Sequence, residues 1–242
     1  MIKLGEINIS SVKLGDSNIS KVYQGETLIF GGSTPIEPVL PSGSEFNFNA
    51  KRLQADGLTI LNDVENGSPL TFDKTVTLNN DYIEINNVSA TSPINLGGTY
   101  NELNLVMCLN NNNNNNVILN IIETGFKTIT LSNASSGVYK GFYYQNNIDT
   151  TKNALAYIEY EPFDIIQLNA TTQFKIVDIT KGTESVSSST VATEVTPDFT
   201  MYKFFVDKFN SKYWLGQFKW IYLTYNPLST DDIQNIINFN SK

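Results

Sequence analysis

Apolar and polar residues alternate along most of this chain, and the alternation has the period of β-structure. Phe46-Asn-Phe48, Leu58-Thr-Ile60-Leu, Thr75-Val-Thr-Leu78, Tyr82-Ile-Glu-Ile85 and Leu103-Asn-Leu-Val-Met-Cys-Leu109 read as strands. So do Val117 to Ile122, Lys127 to Leu131, Gly141 to Tyr144, Ala154 to Ile158, Gln173 to Val177, Tyr202 to Val206 and Phe218 to Tyr225. Eleven or twelve short strands without the strand–helix alternation of a parallel sheet predict an antiparallel two-sheet sandwich or jelly roll. One helical pattern closes the region. Ser229-Thr-Asp-Asp232 places an acid three residues after a serine, as in a capping box. Ile233, Ile236 and Ile237 then share one face, so a short helix should lie against the sandwich.

The first 32 residues follow another rhythm. Gly5, Gly15 and Gly25 recur every ten residues, each followed by an acid (Glu6, Asp16, Glu26), and Ile9, Ile19 and Ile29 follow three residues later. Short strands joined by tight turns fit this pattern, because glycine supplies the positive φ that such turns need. The simplest form is a β-meander. About 30 residues of β-structure cannot bury a core alone, so the module is expected to serve attachment or assembly. Gly31 to Ser44 is rich in Gly, Pro and Ser and reads as a connector. The expected organisation is thus a β-repeat module at 1–32, a linker at 33–44 and a sandwich at 45–242.

Composition removes several chemistries. The chain has 242 residues, 16 basic against 24 acidic ones, a net charge of −8 and no histidine. No Ser-His-Asp or Cys-His group and no His-ligated metal can exist. The single cysteine, Cys108, excludes a disulfide framework and sits in an apolar run as a core residue. With only one arginine, Arg52, no basic surface for nucleic acid is expected. No apolar stretch approaches the roughly 20 residues of a membrane span, and no signal peptide is evident at the N-terminus. Asn is abundant, with seven in a row at Asn110 to Asn116, which reads as a polar loop between two strands.

Candidate ligand contacts are aromatic residues beside amides, since rings stack on sugars and amides match their hydroxyls. The two clusters are Tyr143-Tyr144 with Asn146-Asn147, and Tyr213-Trp214. Neighbours on a strand face opposite sides, so at least one of Tyr143 and Tyr144 is expected in the core. Glu159-Tyr-Glu161-Pro-Phe-Asp164 has carboxylates at a spacing that glycoside hydrolysis could use, but Pro162 interrupts the strand, and no enzyme is expected. No catalytic residue is assigned and no cofactor is expected; the oxygen-rich composition leaves a Ca²⁺ site open.

Two resemblances add to this reading. The repeat Ile/Val-x-Leu-Gly-Asp/Glu resembles the N-terminal segment of bacteriophage tail, fibre and other virion proteins. The run from Gly216 through Phe218, Ile221, Leu223, Tyr225-Asn226, Leu228-Ser229 and Asp232-Ile233 resembles the C-terminus of laminin-G and concanavalin A-like domains, and Asp81 to Ile85 is similar to an early strand of that family. Together they imply a virion structural protein, fibre or decoration, presenting a lectin-like domain for host attachment. The implied partners are other virion proteins, further copies of the chain (a trimer favoured) and a glycan, with neither nucleic acid nor an inserted membrane. A decoration protein without ligand and a polysaccharide depolymerase are the alternatives.

Overall fold

The computed structural model describes residues 2–4, 7–9, 12–14, 17–19, 21–24, 27–31, 38–94, 98–111, 117–123, 128–136, 139–146, 153–190, 195–196, 198–207 and 211–242. The chain divides into two compact units, Met1–Val39 and Leu40–Lys242.

In the first unit each ten-residue repeat becomes one hairpin. β1 (Ile2–Leu4) pairs with β2 (Ile7–Ile9), β3 (Val12–Leu14) with β4 (Ser17–Ile19), and β5 (Lys21–Gln24) with β6 (Thr27–Gly31). Leu4 lies opposite Ile7, Leu14 opposite Ser17 and Gln24 opposite Thr27. Two residues thus separate each innermost pair, the shortest common hairpin connection, and in every repeat they are Gly and an acid. The meander expectation is corrected: the pairs form three separate two-stranded sheets. Turn chemistry explains this, since only the Gly-acid dipeptides, and not the serine-rich joints between repeats, carry a two-residue hairpin signal. Gly5, Gly15 and Gly25 lie outside the described residues. Ile9 and Ile19 sit opposite Ile2 and Val12, while Ile29 falls at an irregularity between the Val22–Phe30 and Tyr23–Leu28 pairs.

The second unit is an all-β antiparallel sandwich with one short helix, as the alternation predicts. Its strands are β7 (Ser44–Leu53), β8 (Thr59–Asn62), β9 (Leu70–Phe72), β10 (Leu78–Asn79), β11 (Tyr82–Ile85), β12 (Ala90–Pro93), β13 (Leu103–Asn111) and β14 (Val117–Glu123). Then follow β15 (Thr128–Ser136), β16 (Tyr139–Asn146), β17 (Ala154–Ile158), β18 (Ile165–Ala170), β19 (Gln173–Asp178), β20 (Thr183–Thr190), β21 (Phe199–Phe204), β22 (Gly216–Thr224) and the helix α1 (Thr230–Asn240). The hydrogen-bonded path runs β17-β16-β15-β14-β21-β12-β9-β8-β7-β22-β13-β18-β19-β20, with β11 also on β22. The path folds over so that its halves face each other. Phe46 and Phe48 of β7 meet Tyr202 and Phe204 of β21 at ring distances of 5.0–5.9 Å, and Tyr144 of β16 meets Phe174 of β19 at 5.9 Å. Leu105 and Met107 of β13, Leu119 and Ile121 of β14, and Ile221 and Leu223 of β22 fill the space between the layers.

A second, smaller apolar cluster covers the outer face of the β7–β22–β13 layer. Val106, Cys108, Trp220 and Tyr222 point outward, and Ile236 of α1 closes over them, with Leu40, Leu228 and Ile237 at the margin. Ser229 caps the helix and Asp232 completes the capping box. Asn47 and Asn49 alternate with the inward phenylalanines of β7 and so also face outward, under the helix. The side chain of Asn240 meets both: Asn47 Nδ2 and Asn49 Nδ2 donate to Asn240 Oδ1 at 3.0 and 3.1 Å, and Asn240 Nδ2 returns a bond to Asn47 Oδ1 at 3.0 Å. Three buried amides thus fasten the helix to the sheet with their hydrogen bonds satisfied.

Candidate functional site

The outer face opens beside the end of α1 into a groove of about 250 Å³, lined by Asn49, Lys51, Asp81, Cys108, Phe163, Ile165, Lys219, Trp220, Asn240 and Ser241. Its geometry comes from an irregularity in β22. On β13, Cys108 faces Trp220 and Leu109 faces Phe218, so Lys219 is an extra residue in the ladder. A β-bulge of this kind re-aims a side chain. Strict alternation would send Lys219 and Trp220 to opposite faces. Here Phe218 and Ile221 both enter the main core, while Lys219 and Trp220 both line the outer groove.

The opposite wall is the turn between β17 and β18. Asp164 N donates to Glu161 O at 3.1 Å, and Phe163 is held at φ +64°. A bulky side chain at positive φ costs on the order of 1–3 kcal/mol and persists only where its surroundings over-determine it. The surroundings are evident: Phe163 N donates to Leu109 O at 3.1 Å, Cys108 Sγ donates to Phe163 O at 3.3 Å, Tyr82 lies 5.9 Å from the ring and Lys219 Nζ sits 4.3 Å from its centroid. That last contact is a cation–π pair, and Asp81 holds the same ammonium at 2.8 Å. Burial pushes the Cys108 thiol up to about 12, so it stays protonated and donates.

Behind the turn, Asp164 faces Asp178. Asp164 Oδ2 accepts from Glu161 N at 2.6 Å and from Lys181 Nζ at 3.2 Å; Asp178 Oδ1 accepts from Lys181 N at 3.0 Å. Asp178 Oδ2 is buried without a hydrogen-bond partner. Burial, followed by the negative Asp164 beside it, raises Asp178 above the usual carboxylate range. Burial also acts on Asp164, but the Glu161 N–H, the Lys181 ammonium and the Asp178 side chain outweigh it and lower that carboxyl. The signs are therefore opposite. The Asp178 contribution to stability is full below its ordinary value near 3.8 and is lost as pH rises through its raised folded value. The Asp164 contribution is present above 3.8 and is lost as pH falls through its lowered folded value. Asp178→Asn cannot ionise, so its stability relative to the parent should rise as pH climbs above 3.8 through the raised folded value of Asp178. Urea unfolding at several pH values measures this, and parallel profiles would refute the raised titration of Asp178.

The residues expected from sequence to touch ligand fall elsewhere. Tyr144 and Trp214 have no exposed surface and are core residues, where a ring packs against neighbours and is not presented to a sugar. Tyr143 faces outward on β16, half-buried, opposite Leu155 of β17. Tyr213 is half-buried, with Lys74 Nζ 5.8 Å from its ring. Asn146 pairs with Ile129 through the backbone, and Asn147 and most of the Asn110 to Asn116 run lie outside the described residues. Glu159 and Glu161 are exposed while Asp164 is buried, because the turn at Pro162 ends the alternation the acids would need. Among the described residues no group of three or more Cys, Asp or Glu could hold a metal ion. The groove residues Phe163, Lys219 and Trp220 were not singled out; Glu161-Pro-Phe-Asp164 does carry a turn signal, but nothing in the sequence marks the bulge.

No family model matches the chain, and no curated protein matches its sequence. Solved structures do. The structure is similar to the binding domain of botulinum neurotoxin DC in complex with SialylT (TM-score 0.55, 11% identity, covering 83% of this chain and 52% of that one). It is also similar to the botulinum neurotoxin serotype D binding domain (0.54, 12%, 82% and 51%) and to a Trypanosoma rangeli sialidase mutant displaying trans-sialidase activity (0.53, 11%, 86% and 35%). The likeness is one of fold. The chain spans about half the length of the toxin binding domains and about a third of the sialidase.

Proposed function

We propose that this chain is a bacteriophage virion structural protein, fibre or decoration, whose sandwich binds surface glycans. The observation that carries the binding half is the bulge at Lys219, which sets an ammonium and an indole beside the strained Phe163 in one groove. An aromatic wall with a few fixed polar groups suits a saccharide unit, and the groove is smaller than the ~300–1,000 Å³ of drug-sized pockets. The fold supports the same reading: the neurotoxin DC binding domain is described in complex with SialylT, and cell entry of neurotoxin type C as dependent upon interaction with two ganglioside molecules. The chain acts as a binder and not an enzyme. Carboxylate-based hydrolysis needs two acids across a cleft, and the groove has one, Asp81, already engaged by Lys219.

The virion half rests on the repeats. An isolated two-stranded hairpin is marginal in water, so three separate ones call for partners, either other virion proteins or further copies of the chain with a trimer favoured. A glycan array probed with the full chain and with Phe163→Ala tests the binding half. The parent should bind glycans and the variant, assayed well below its own melting temperature, should not. An array without signal, or equal signal from both, would overturn the groove as a glycan site. Recovery of the protein with purified particles tests the virion half, and its absence from them would refute it.

A further inference from the structure

The groove is balanced in charge. Lys219 Nζ lies 2.8 Å from Asp81 Oδ2, and Lys51 Nζ donates at 2.6 Å to an oxygen of the terminal residue, Lys242, a carboxylate there. The amides are spent inside the protein: Asn49 Nδ2 donates to the side-chain and main-chain oxygens of Asn240, and Asn240 Nδ2 donates to Asn47 Oδ1 and Ile236 O. Ser241 gives its hydroxyl proton to Ile237 O at 2.7 Å. The unspent polar capacity therefore sits in the ion pairs. Asp81 is 43% exposed, and its Oδ1 accepts nothing from the described residues. Lys219 has N–H groups beyond the one aimed at Asp81. The backbone holds both partners. Asp81 follows Asn80 in the two-residue turn between β10 and β11, where Asn79 faces Tyr82 and Asn80 sits at φ +58°. β11 pairs with β22, Ile83 opposite Phe218, and so brings this turn to the bulge that carries Lys219.

A hydroxyl is donor and acceptor at once. Two hydroxyls on neighbouring sugar carbons can give a proton to Asp81 Oδ1 and take one from Lys219 without parting the pair. Each such bond is charge-assisted, about twice as strong as a neutral one. A carboxylate on the ligand finds no such match, since beside Lys219 it meets Asp81 and beside Lys51 it meets Lys242. Resting on the glycan-binding reading of this groove, we infer that its ligand is a neutral saccharide whose adjacent hydroxyls bridge Asp81 and Lys219. The apolar side of the sugar lies against Phe163, Ile165 and Trp220. Asp81 is then the residue that sets selectivity: it accepts from a hydroxyl and repels an acid. Binding depends little on salt, because the ligand carries no charge to be screened.

An array that sets neutral oligosaccharides beside the same oligosaccharides bearing sialic or uronic acid tests the inference, probed with the full chain and with Asp81→Asn. The parent should bind the best neutral forms roughly tenfold or more tighter than their acidic counterparts, the ratio expected from one charge-assisted bond. Asp81→Asn should weaken the neutral forms by a similar factor and shift the preference towards the acidic ones, because Lys219 loses its partner. Its melting temperature should move little, since a partly exposed ion pair contributes little to stability. Acidic forms bound as tightly as neutral ones by the parent, or a neutral preference unchanged in Asp81→Asn, would overturn the inference and leave glycan binding standing. A silent array would overturn the glycan reading itself, and this inference with it.

Discussion

Trp214→Ala should destabilise the sandwich by about 3–5 kcal/mol, the usual cost of emptying a buried tryptophan site. Trp214 has no exposed surface and packs 5.4 Å from Phe205. Its ring lies on the bare α-carbon of Gly216, where a side-chain carbon would come within 2.5 Å of the indole. Neither neighbour can readily move into the space. Phe205 is fixed at φ +64° and its carbonyl is bonded to Trp214 N, while Gly216 begins the central strand β22. Trp214→Phe should cost much less. The indole Nε1 is buried without a hydrogen-bond partner, so phenylalanine removes an unsatisfied donor along with some volume. Urea midpoints for the two variants decide the matter. Equal losses would mean that the indole N–H has a role its surroundings do not reveal. Glycan binding measured well below the melting temperature should survive in both, since Trp214 does not line the groove.

The second large effect belongs to Asn240→Ala. This change strands the amides of Asn47 and Asn49 beneath the helix and removes the bond from Asn240 Nδ2 to Ile236 O at 2.9 Å. Asn47 Nδ2 keeps its bond to Asp63 at 2.9 Å, and Asn49 Nδ2 keeps only the 3.3 Å contact to the Asn240 main chain. A buried group left without a partner costs about 1–3 kcal/mol, so two partly stranded amides place the loss at about 2–4 kcal/mol. The damage should be local at first. Amides of α1 should exchange with solvent faster while those of β13 remain protected, because the helix is held by this triad and the small outer cluster and not by the main core. Uniform acceleration across both elements would contradict that division.

Much of the architecture is written in local patterns. The Tyr82–Ile85 and Ala154–Ile158 strands match their alternating runs residue for residue, and the capping box at Ser229 marks the start of α1. Each hairpin is legible in a Gly-acid dipeptide. Non-local context decided the rest. Thr75 to Leu78 has the composition of a strand, yet only Leu78–Asn79 pairs, because Val76 N bonds Gly57 O and Val76 is buried as part of an irregular segment. Ile165–Ala170 is a strand that the preceding Pro162 and Asp164 make look like the start of a loop. The groove was least legible of all. It depends on one surplus residue in β22, and a bulge shifts the period without changing the composition of the strand.

The pairing of β7 with β22 has a consequence for synthesis. The hydroxyls of Ser44 and Tyr222 meet at 2.8 Å across 178 positions of sequence, so the first strand of the sandwich waits for the last. Until β22 emerges from the ribosome, β7 and β13 each expose an unpaired edge in an Asn-rich chain, and the central layer cannot close. Contacts of such long range are formed slowly and reward the chain only at the end. Co-expression of a chaperone that shields strand edges should therefore raise the yield of this protein more than any change to its groove.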